Sequence, residues 1–149
     1  MIESIKDYYK ISDILATSGQ PTPEEFALIV RSGYQVVINL ATSSSTNALA
    51  NEGTIVTDLG MVYIQIPVIW EHPQLQDVTL FFKVMQSLEQ NKIWVHCAKN
   101  MRVSCFIYLW QKYMQQLPEA EAKYPMNQIW QPTGVWQALM EEAEVAFNR

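Results

Sequence analysis

Apolar residues recur at helical spacing in the stretch that follows residue 102. They are separated by three and four positions, which places them on one face of an α-helix. The residues with this spacing are Val103, Phe106, Ile107, Trp110, Tyr113, Met114 and Leu117. An apolar run that ends at His96-Cys97 precedes them, and a short polar loop lies between. The order predicts a strand, a loop and then a helix that packs against the rest of the protein.

The same alternation of strand and helix continues along the chain. Apolar runs predict strands near residues 12–16, at 35–40 and at 62–68, and helices over 47–59, from Asp77 and after Pro132. Another helix starts at Thr22, with proline at its first position and Glu25 at its third, and it stops at Gly33. The pattern predicts a three-layer α/β fold, in which helices cover both faces of a mainly parallel sheet of four or five strands.

Composition narrows the class of protein. A chain of 149 residues that is 49% hydrophobic is expected to form a single domain over residues 1–149. The net charge of −5 argues against a nucleic-acid partner, which requires a basic surface. The sequence has no apolar run of membrane-spanning length, and its first residues lack the apolar core of a signal peptide. We therefore expect a cytoplasmic protein without a membrane partner, unless a leader peptide has been removed.

The two cysteines, Cys97 and Cys105, have different expected roles. They are eight residues apart across the loop and the following helix, roughly 12 Å at 1.5 Å per residue, so they cannot form a disulfide. A reducing compartment is consistent with this, and Cys105 is expected to be core filler.

The loop before the helix has the features of an anion site. Free backbone N–H groups and the positive end of the helix dipole face whatever occupies such a loop. Cys97 faces that site and is expected to ionise more readily than an ordinary cysteine, so its thiolate is the predicted nucleophile. The predicted phosphate-binding residues are Ala98, Lys99, Asn100, Met101 and Arg102. No His, Cys and carboxylate spacing suggests a metal, and we expect no cofactor.

These residues resemble the cysteine-dependent protein tyrosine and dual-specificity phosphatases, specifically their small bacterial tyrosine-phosphatase-like (DUF442) branch. The segments that carry the resemblance are 17–21, 37–40, 66–68, His96-Cys97 and Ile129-Trp130. The resemblance implies that His96 orients the loop and that Gln20 lies near the site. Ser104 could assist water attack on a phosphocysteine or cap the helix, and capping is the safer assignment for this serine.

The chain departs from the family signature, which is His-Cys, five residues, Arg and then Ser or Thr. Only four residues separate Cys97 from Arg102, so an ungapped alignment puts Asn100 on the glycine, Val103 on the arginine and Ser104 on the serine. Asparagine tolerates a left-handed backbone well, but valine cannot clamp phosphate. Two arrangements remain open. In the first, Arg102 binds the phosphate in place of the family arginine, either by reaching in from its earlier position or because the loop is one residue tighter. In the second, Arg102 points to solvent.

The resemblance also implies a general acid on the loop after the strand at 62–68. The resembled phosphatases carry an aspartate there, and residues 69–73 contain none. Glu71 is the carboxyl group best placed to replace it, and His72 is an alternative. Asp77 lies behind them and is expected to cap the next helix. The Ser/Thr-rich stretch 41–47 is expected either to line the rim of the site or to be a plain connector.

The predicted function is hydrolysis of a phosphate monoester through a phosphocysteine on Cys97, with Glu71 as acid and Arg102 as clamp. The substrate is expected to be a phosphorylated small molecule or a phosphoprotein. A rhodanese-like sulfurtransferase is one alternative, because such enzymes have a shorter loop that the four-residue spacing matches. A non-catalytic module that binds phosphate or a phosphoprotein is the other.

Overall fold

The computed structural model describes residues 1–148 and contains one five-stranded sheet. The strands are β1 (Tyr9–Ser12), β2 (Leu15–Ser18), β3 (Val36–Asn39), β4 (Val62–Gln65) and β5 (Ile93–His96). Their order across the sheet is β1-β2-β5-β3-β4. Only β1 is antiparallel to its neighbour, and the other four strands run parallel. The predicted mainly parallel sheet is confirmed.

Helices cover both faces of this sheet. They are α1 (Pro23–Arg31), α2 (Glu52–Asp58), α3 (Leu75–Ser87), α4 (Met101–Leu109), α5 (Glu119–Ala122), α6 (Met126–Ile129) and α7 (Val135–Phe147). One apolar core joins the sheet to α1 and α2, and a larger core joins its other face to α3, α4 and α7. The three-layer α/β prediction is therefore confirmed.

The central strands β3 and β5 are buried over their whole lengths. Successive side chains of a strand point to opposite faces, so each strand supplies both cores. Val95 belongs to the larger core, whereas the next residue back, Trp94, belongs to the core beneath α1 and α2. The continuous apolar runs in the sequence reflect this two-sided burial.

The start and stop signals of α1 act as predicted. The Thr22 hydroxyl accepts a hydrogen bond from the Glu25 amide, and the Glu25 carboxylate accepts one from the Thr22 amide. This capping box satisfies two donors at the helix start. Gly33 follows the helix with a φ of 95°, a left-handed backbone that costs glycine no steric strain.

Several predicted boundaries were wrong. The stretch 12–16 is not one strand, because the Ser12 hydroxyl accepts a bond from the Ile14 amide and the resulting turn separates β1 from β2. The helix predicted over 47–59 begins only at Glu52, because the chain before it forms a loop over the carboxyl ends of the strands. The strand predicted at 62–68 ends at Gln65, where the pairing with β3 ends.

The helix predicted from Asp77 begins two residues earlier, at Leu75. The Asp77 carboxylate accepts a hydrogen bond from the Gln74 amide at 3.1 Å, so it caps the helix from the third helical position and not from the N-cap.

The helix after the signature loop is more deeply buried than its pattern predicts. Every residue from Arg102 to Leu109 is buried, so α4 is central and does not show a single apolar face. The chain continues as a π-helical turn at Trp110–Met114, which changes the register of the predicted stripe and leaves Met114 exposed. Within residues 1–148, none of the helices has the length and apolar character needed to cross a bilayer.

Candidate active site

The candidate site lies at the carboxyl end of the central strand. His96, the last residue of β5, pairs with Ser18 on one side and with Asn39 on the other. The loop 97–100 leaves the sheet between these two strand ends, and α4 begins at Met101. Ligand crevices in open α/β sheets form at this edge, which is where the sequence predicts the site.

Asn100 gives the loop its shape. Its φ of 64° and ψ of 8° are left-handed, the conformation that this position requires and that asparagine tolerates best among non-glycine residues. Its side-chain amide donates to the Asp7 carbonyl at 2.9 Å and to the Thr17 hydroxyl at 3.1 Å. Asn100 therefore fits the glycine position of the signature and also anchors the loop to the amino-terminal segment.

A row of unpaired backbone donors runs along this loop. None of the six amides from Ala98 to Val103 donates to an acceptor within residues 1–148, and the first that does is Ser104, to the Asn100 carbonyl at 2.9 Å. The positive end of the α4 dipole lies at the same place. These donors suit a phosphate-sized oxyanion.

The two cysteines have different surroundings. Cys97 is buried at the start of the loop, and its amide faces the Ser18 carbonyl at 3.4 Å. Cys105 lies inside α4, and burial raises the pKa of its thiol. Neither forms a disulfide. Cys105 is core filler, as predicted, whereas Cys97 directly precedes the row of free amides.

Neighbouring segments hold the loop in place through one carbonyl. The Ala98 carbonyl accepts from the Gln20 amide and from the Asn47 side chain, both at 3.1 Å. Gly19 passes so close that a Cβ there would lie 2.8 Å from the same oxygen. The structure thus brings Gln20 to the loop, but its backbone makes the contact and its side chain turns away towards α2.

Arg102 is buried between two loops. Its Nη1 donates to the Val68 carbonyl at 3.0 Å and its Nη2 donates to the Ser45 hydroxyl at 3.3 Å. The guanidinium also lies 6.0 Å from the centre of the Trp70 ring. The alternative in which Arg102 points to solvent is therefore excluded, since the residue is 6% exposed. Val103, which aligns with the family arginine, is buried in the core.

The other predicted residues are less enclosed. Lys99 is exposed beside the loop, and Met101 is half-buried. Glu71 and His72 are both exposed on the loop after β4. That loop is held by Trp70, whose carbonyl accepts a bond from the Trp136 indole at 3.0 Å.

Ser104 does not cap α4, and that prediction was wrong. It is the fourth residue of the helix, because the left-handed Asn100 occupies the N-cap position. Its hydroxyl donates to the Met101 carbonyl at 2.9 Å and accepts a bond from the Trp130 indole at 3.0 Å. Ser104 and Trp130 together fix the first turn of the helix.

Glu52 is a buried group near the site that sequence reasoning missed. One carboxylate oxygen lies 2.6 Å from Nε2 of His96, and the other accepts from the Gln20 side-chain amide at 2.7 Å. Glu52 and Val56 are four residues apart, on the same buried face of α2. A glutamate in line with an apolar stripe was the available clue. Among residues 1–148, no group of three or more His, Cys, Asp and Glu side chains is arranged to hold a metal.

A family model described as "DSP-PTPase phosphatase fused to NAD+ Kinase" matches residues 7–144. No curated protein matches the chain. Among solved structures, a DUF442 protein of Shewanella putrefaciens CN-32 is 36% identical, with a TM-score of 0.88 over 98% of this chain and 96% of that one.

More distant structures share the fold. PTPMT1 in complex with PI(5)P is 12% identical, with a TM-score of 0.77 over 95% of this chain and 96% of that one. TpbA of P. aeruginosa in complex with pTyr is 15% identical, with a TM-score of 0.66 over 93% of this chain and 81% of that one.

The length of the family match and the identity to the DUF442 protein confirm the family that the His96-Cys97 loop resembles. This chain belongs to the DSP-PTPase phosphatase family, in the cysteine-dependent tyrosine and dual-specificity phosphatase superfamily, with a DUF442 protein among its relatives.

Proposed function

We propose that this protein hydrolyses phosphate monoesters through a phosphocysteine intermediate on Cys97. The observation that carries the proposal is the row of six unpaired amides, Ala98 to Val103, which begins at that cysteine. A phosphoryl group bound there has donors for its equatorial oxygens, and its phosphorus lies next to the thiol. Such preorganised donors stabilise charge that develops in a transition state.

In the first step the Cys97 thiolate attacks phosphorus, and the bond from phosphorus to the leaving oxygen breaks. Glu71 is the proposed acid that gives this oxygen its proton. Its exposed position on the loop after β4 leaves it free to approach a bound substrate. In the second step water attacks phosphorus, the sulfur–phosphorus bond breaks, and inorganic phosphate and the thiolate are released.

Arg102 is the proposed phosphate clamp. Its guanidinium is already buried at the start of α4, where it contacts Val68 and Ser45. In the proposed complex Arg102 exchanges the longer, 3.3 Å contact with Ser45 for a contact with a phosphate oxygen. A charge-assisted bond to phosphate is stronger than the bond to a neutral hydroxyl that it replaces.

The substrate class proposed here is a phosphorylated small molecule or protein. Complexes of TpbA with pTyr and of PTPMT1 with PI(5)P are consistent with this class, because both ligands carry a phosphate monoester. Those ligands belong to the two distant relatives, and here they support only the common chemistry of a phosphate on a hydroxyl.

A non-catalytic phosphate-binding module is the second candidate. Two observations favour it: Arg102 is engaged by protein acceptors, and residues 69–73 lack the aspartate that the family resemblance implies. Such a module would bind the anion without turning it over.

The test is release of phosphate from an aryl phosphate, measured for the wild type, Cys97→Ser and Cys105→Ser. Hydrolysis predicts turnover in the wild type and in Cys105→Ser and none in Cys97→Ser. Saturable phosphate binding without turnover would favour the module. Formation of thiocyanate from thiosulfate and cyanide, with no phosphate release, would favour the sulfurtransferase alternative.

A further inference from the structure

We propose that Glu52 is a positioning residue that anchors the His96 ring at Nε2, so that the protonated Nδ1 of the ring holds the backbone of Cys97. The proposal extends the proposed function, since it assigns a residue that supports the nucleophile. Glu52 does not contact the anion loop itself and acts through His96.

The geometry links three consecutive groups. Glu52 Oε2 lies 2.6 Å from His96 Nε2, and His96 Nδ1 lies 3.2 Å from the Cys97 carbonyl oxygen. Both side chains are removed from solvent, with His96 fully buried and Glu52 4% exposed. Bulk solvent therefore does not reach either partner of this contact.

The acceptor at Cys97 decides where the ring carries its proton. A carbonyl oxygen can only accept, so Nδ1 must carry hydrogen for this contact to be a hydrogen bond. Neutral imidazole has one N–H, and its choice of nitrogen is set by the partners of the ring. The Nε2 side must then face a group that either shares a proton with Nε2 or donates one to it.

Glu52 satisfies this requirement. A single proton between Oε2 and Nε2 completes the short contact, whichever of the two atoms it is nearer to, and Nδ1–H remains available for Cys97. A purely apolar neighbour would leave Nε2 without a partner. It would also remove one of the two polar contacts that fix the orientation of the ring, and the bond to the Cys97 carbonyl would be held less firmly.

The surroundings hold the Glu52 carboxylate in this role. Its other oxygen accepts from the Gln20 side chain, whose nitrogen also donates to the Pro21 carbonyl at 3.0 Å. His96 is the only ion-pair partner that Glu52 has within residues 1–148. The ring of Phe26 packs against the imidazole with centroids 5.9 Å apart, which limits rotation of the ring.

One further titratable group, Tyr63, faces Glu52 from β4. Burial is the main reason that its pKa is raised to about 12, and the charge of Glu52 adds to this. A hydrogen bond from the Asn39 side chain acts in the opposite direction. The phenol is therefore neutral at physiological pH.

The same network predicts which substitution of Glu52 is tolerated. In Glu52→Gln the new amide oxygen can accept from Gln20, which leaves the amide N–H₂ to donate to His96 Nε2. That arrangement still requires the ring proton on Nδ1. Glu52→Met has a similar size but offers His96 no polar partner.

The first test uses the wild-type protein labelled with ¹⁵N-histidine. The sequence has only two histidines, so exposed His72 serves as an internal reference. We expect the ¹⁵N spectrum at pH 8 to show a proton on Nδ1 of His96. A His96 ring that carries hydrogen on Nε2 alone would overturn the proposal, and no variant is needed to see it.

The second test measures alkylation of Cys97 by iodoacetamide, with Cys105 as the internal control. We expect Glu52→Gln to react at a rate within about threefold of the wild type, and Glu52→Met to react about tenfold or more slowly, because loss of a partner that orients a functional histidine has effects of this size. Circular dichroism establishes that each variant is folded. A folded Glu52→Met that reacts like the wild type, or a Glu52→Gln as slow as Glu52→Met, would overturn the proposal.

Neither test depends on turnover. If His96 carries the Nδ1 proton and the variants behave as expected while no phosphate is released, the hydrolase proposal fails and the role of Glu52 stands. If phosphate is released but the His96 ring carries its proton on Nε2 alone, the hydrolase proposal stands and the proposed role of Glu52 fails.

Discussion

Arg102 donates a hydrogen bond from Nη1 to the carbonyl oxygen of Val68, 3.0 Å away. This contact joins the first turn of α4 to the segment that follows β4, the same segment that carries Trp70 and Glu71. Among residues 1–148, Arg102 is the one buried cation at the site, and a backbone carbonyl and the Ser45 hydroxyl hold it, in an acidic protein with a net charge of −5. We therefore expect Arg102 to be the decisive residue for phosphate affinity.

Arg102→Lys should weaken phosphate binding by about tenfold or more, because an ammonium group cannot reproduce a two-pronged guanidinium contact. Isothermal titration calorimetry with inorganic phosphate measures the effect. Arg31→Lys, at the exposed end of α1, is the matched substitution and should leave the affinity unchanged. Equal affinities of wild type and Arg102→Lys would refute the clamp and favour the non-catalytic module.

Gly19→Ala should distort the loop that binds the anion. The added Cβ would lie 2.8 Å from the Ala98 carbonyl, closer than real Cβ contacts, and both atoms belong to tightly held segments. We expect phosphate affinity and the free energy of unfolding to fall together, as measured by calorimetry and by urea denaturation.

Gly60→Ala separates the two effects. No atom lies within 4 Å of the new Cβ at this position, but the φ of 89° strains any L-residue, so the variant should lose about 1 kcal/mol of stability. Its phosphate affinity should stay at the wild-type value. If Gly19→Ala also keeps that value, the close approach at Ala98 does not shape the site.

Iodoacetate should modify Cys97 and spare Cys105 in the native protein. The carboxylate of the reagent can use the free amides beside Cys97, whereas burial raises the pKa of Cys105 and keeps that thiol neutral inside α4. Peptide mass spectrometry after a short exposure identifies the labelled residue. Added phosphate should protect Cys97, and equal labelling of the two cysteines would contradict this assignment.

Stability should fall at high pH partly because of Tyr34. Burial raises its pKa from 10.0 to about 12, so the folded state holds the phenolic proton more tightly than the unfolded state does. The resulting stabilisation is complete below pH 10 and is lost as the pH rises towards 12. Urea unfolding at a series of pH values should show a shallower decline for Tyr34→Phe than for the wild type. Tyr9→Phe, at the sheet edge, is the comparison, and an unchanged slope in Tyr34→Phe would exclude the effect.

Much of the fold could be predicted because local signals agreed with the tertiary structure. The capping box at Thr22 and Glu25 predicts a helix start, and the structure has a helix there. The apolar runs of β3 and β5 predict buried strands, and both are observed. Asn100 is a similar case within the site. Its ability to adopt a left-handed backbone was readable from residue type, and the loop uses it.

The features that were missed depend on contacts distant in sequence. Glu52 meets His96 across 44 residues, and no local pattern marks a glutamate as the partner of a particular ring. The contact of Arg102 with Val68 spans 34 residues, so spacing alone left its direction open. The capping role predicted for Ser104 was wrong because the helix starts after Asn100. Asp7 and Thr17 hold Asn100 in place, and these contacts cannot be read from the local sequence.

The most direct measurement is rapid quenching of the wild-type protein with an aryl phosphate, followed by mass spectrometry of the peptide that contains Cys97. We predict a phosphoryl group on that cysteine and a burst of phenol equal to the enzyme concentration, with both absent in Cys97→Ser. Glu71→Gln should slow the burst for poor leaving groups more than for good ones. Phenol release that persists in Cys97→Ser, or turnover of the wild type without any phosphorylated Cys97, would contradict the phosphocysteine mechanism.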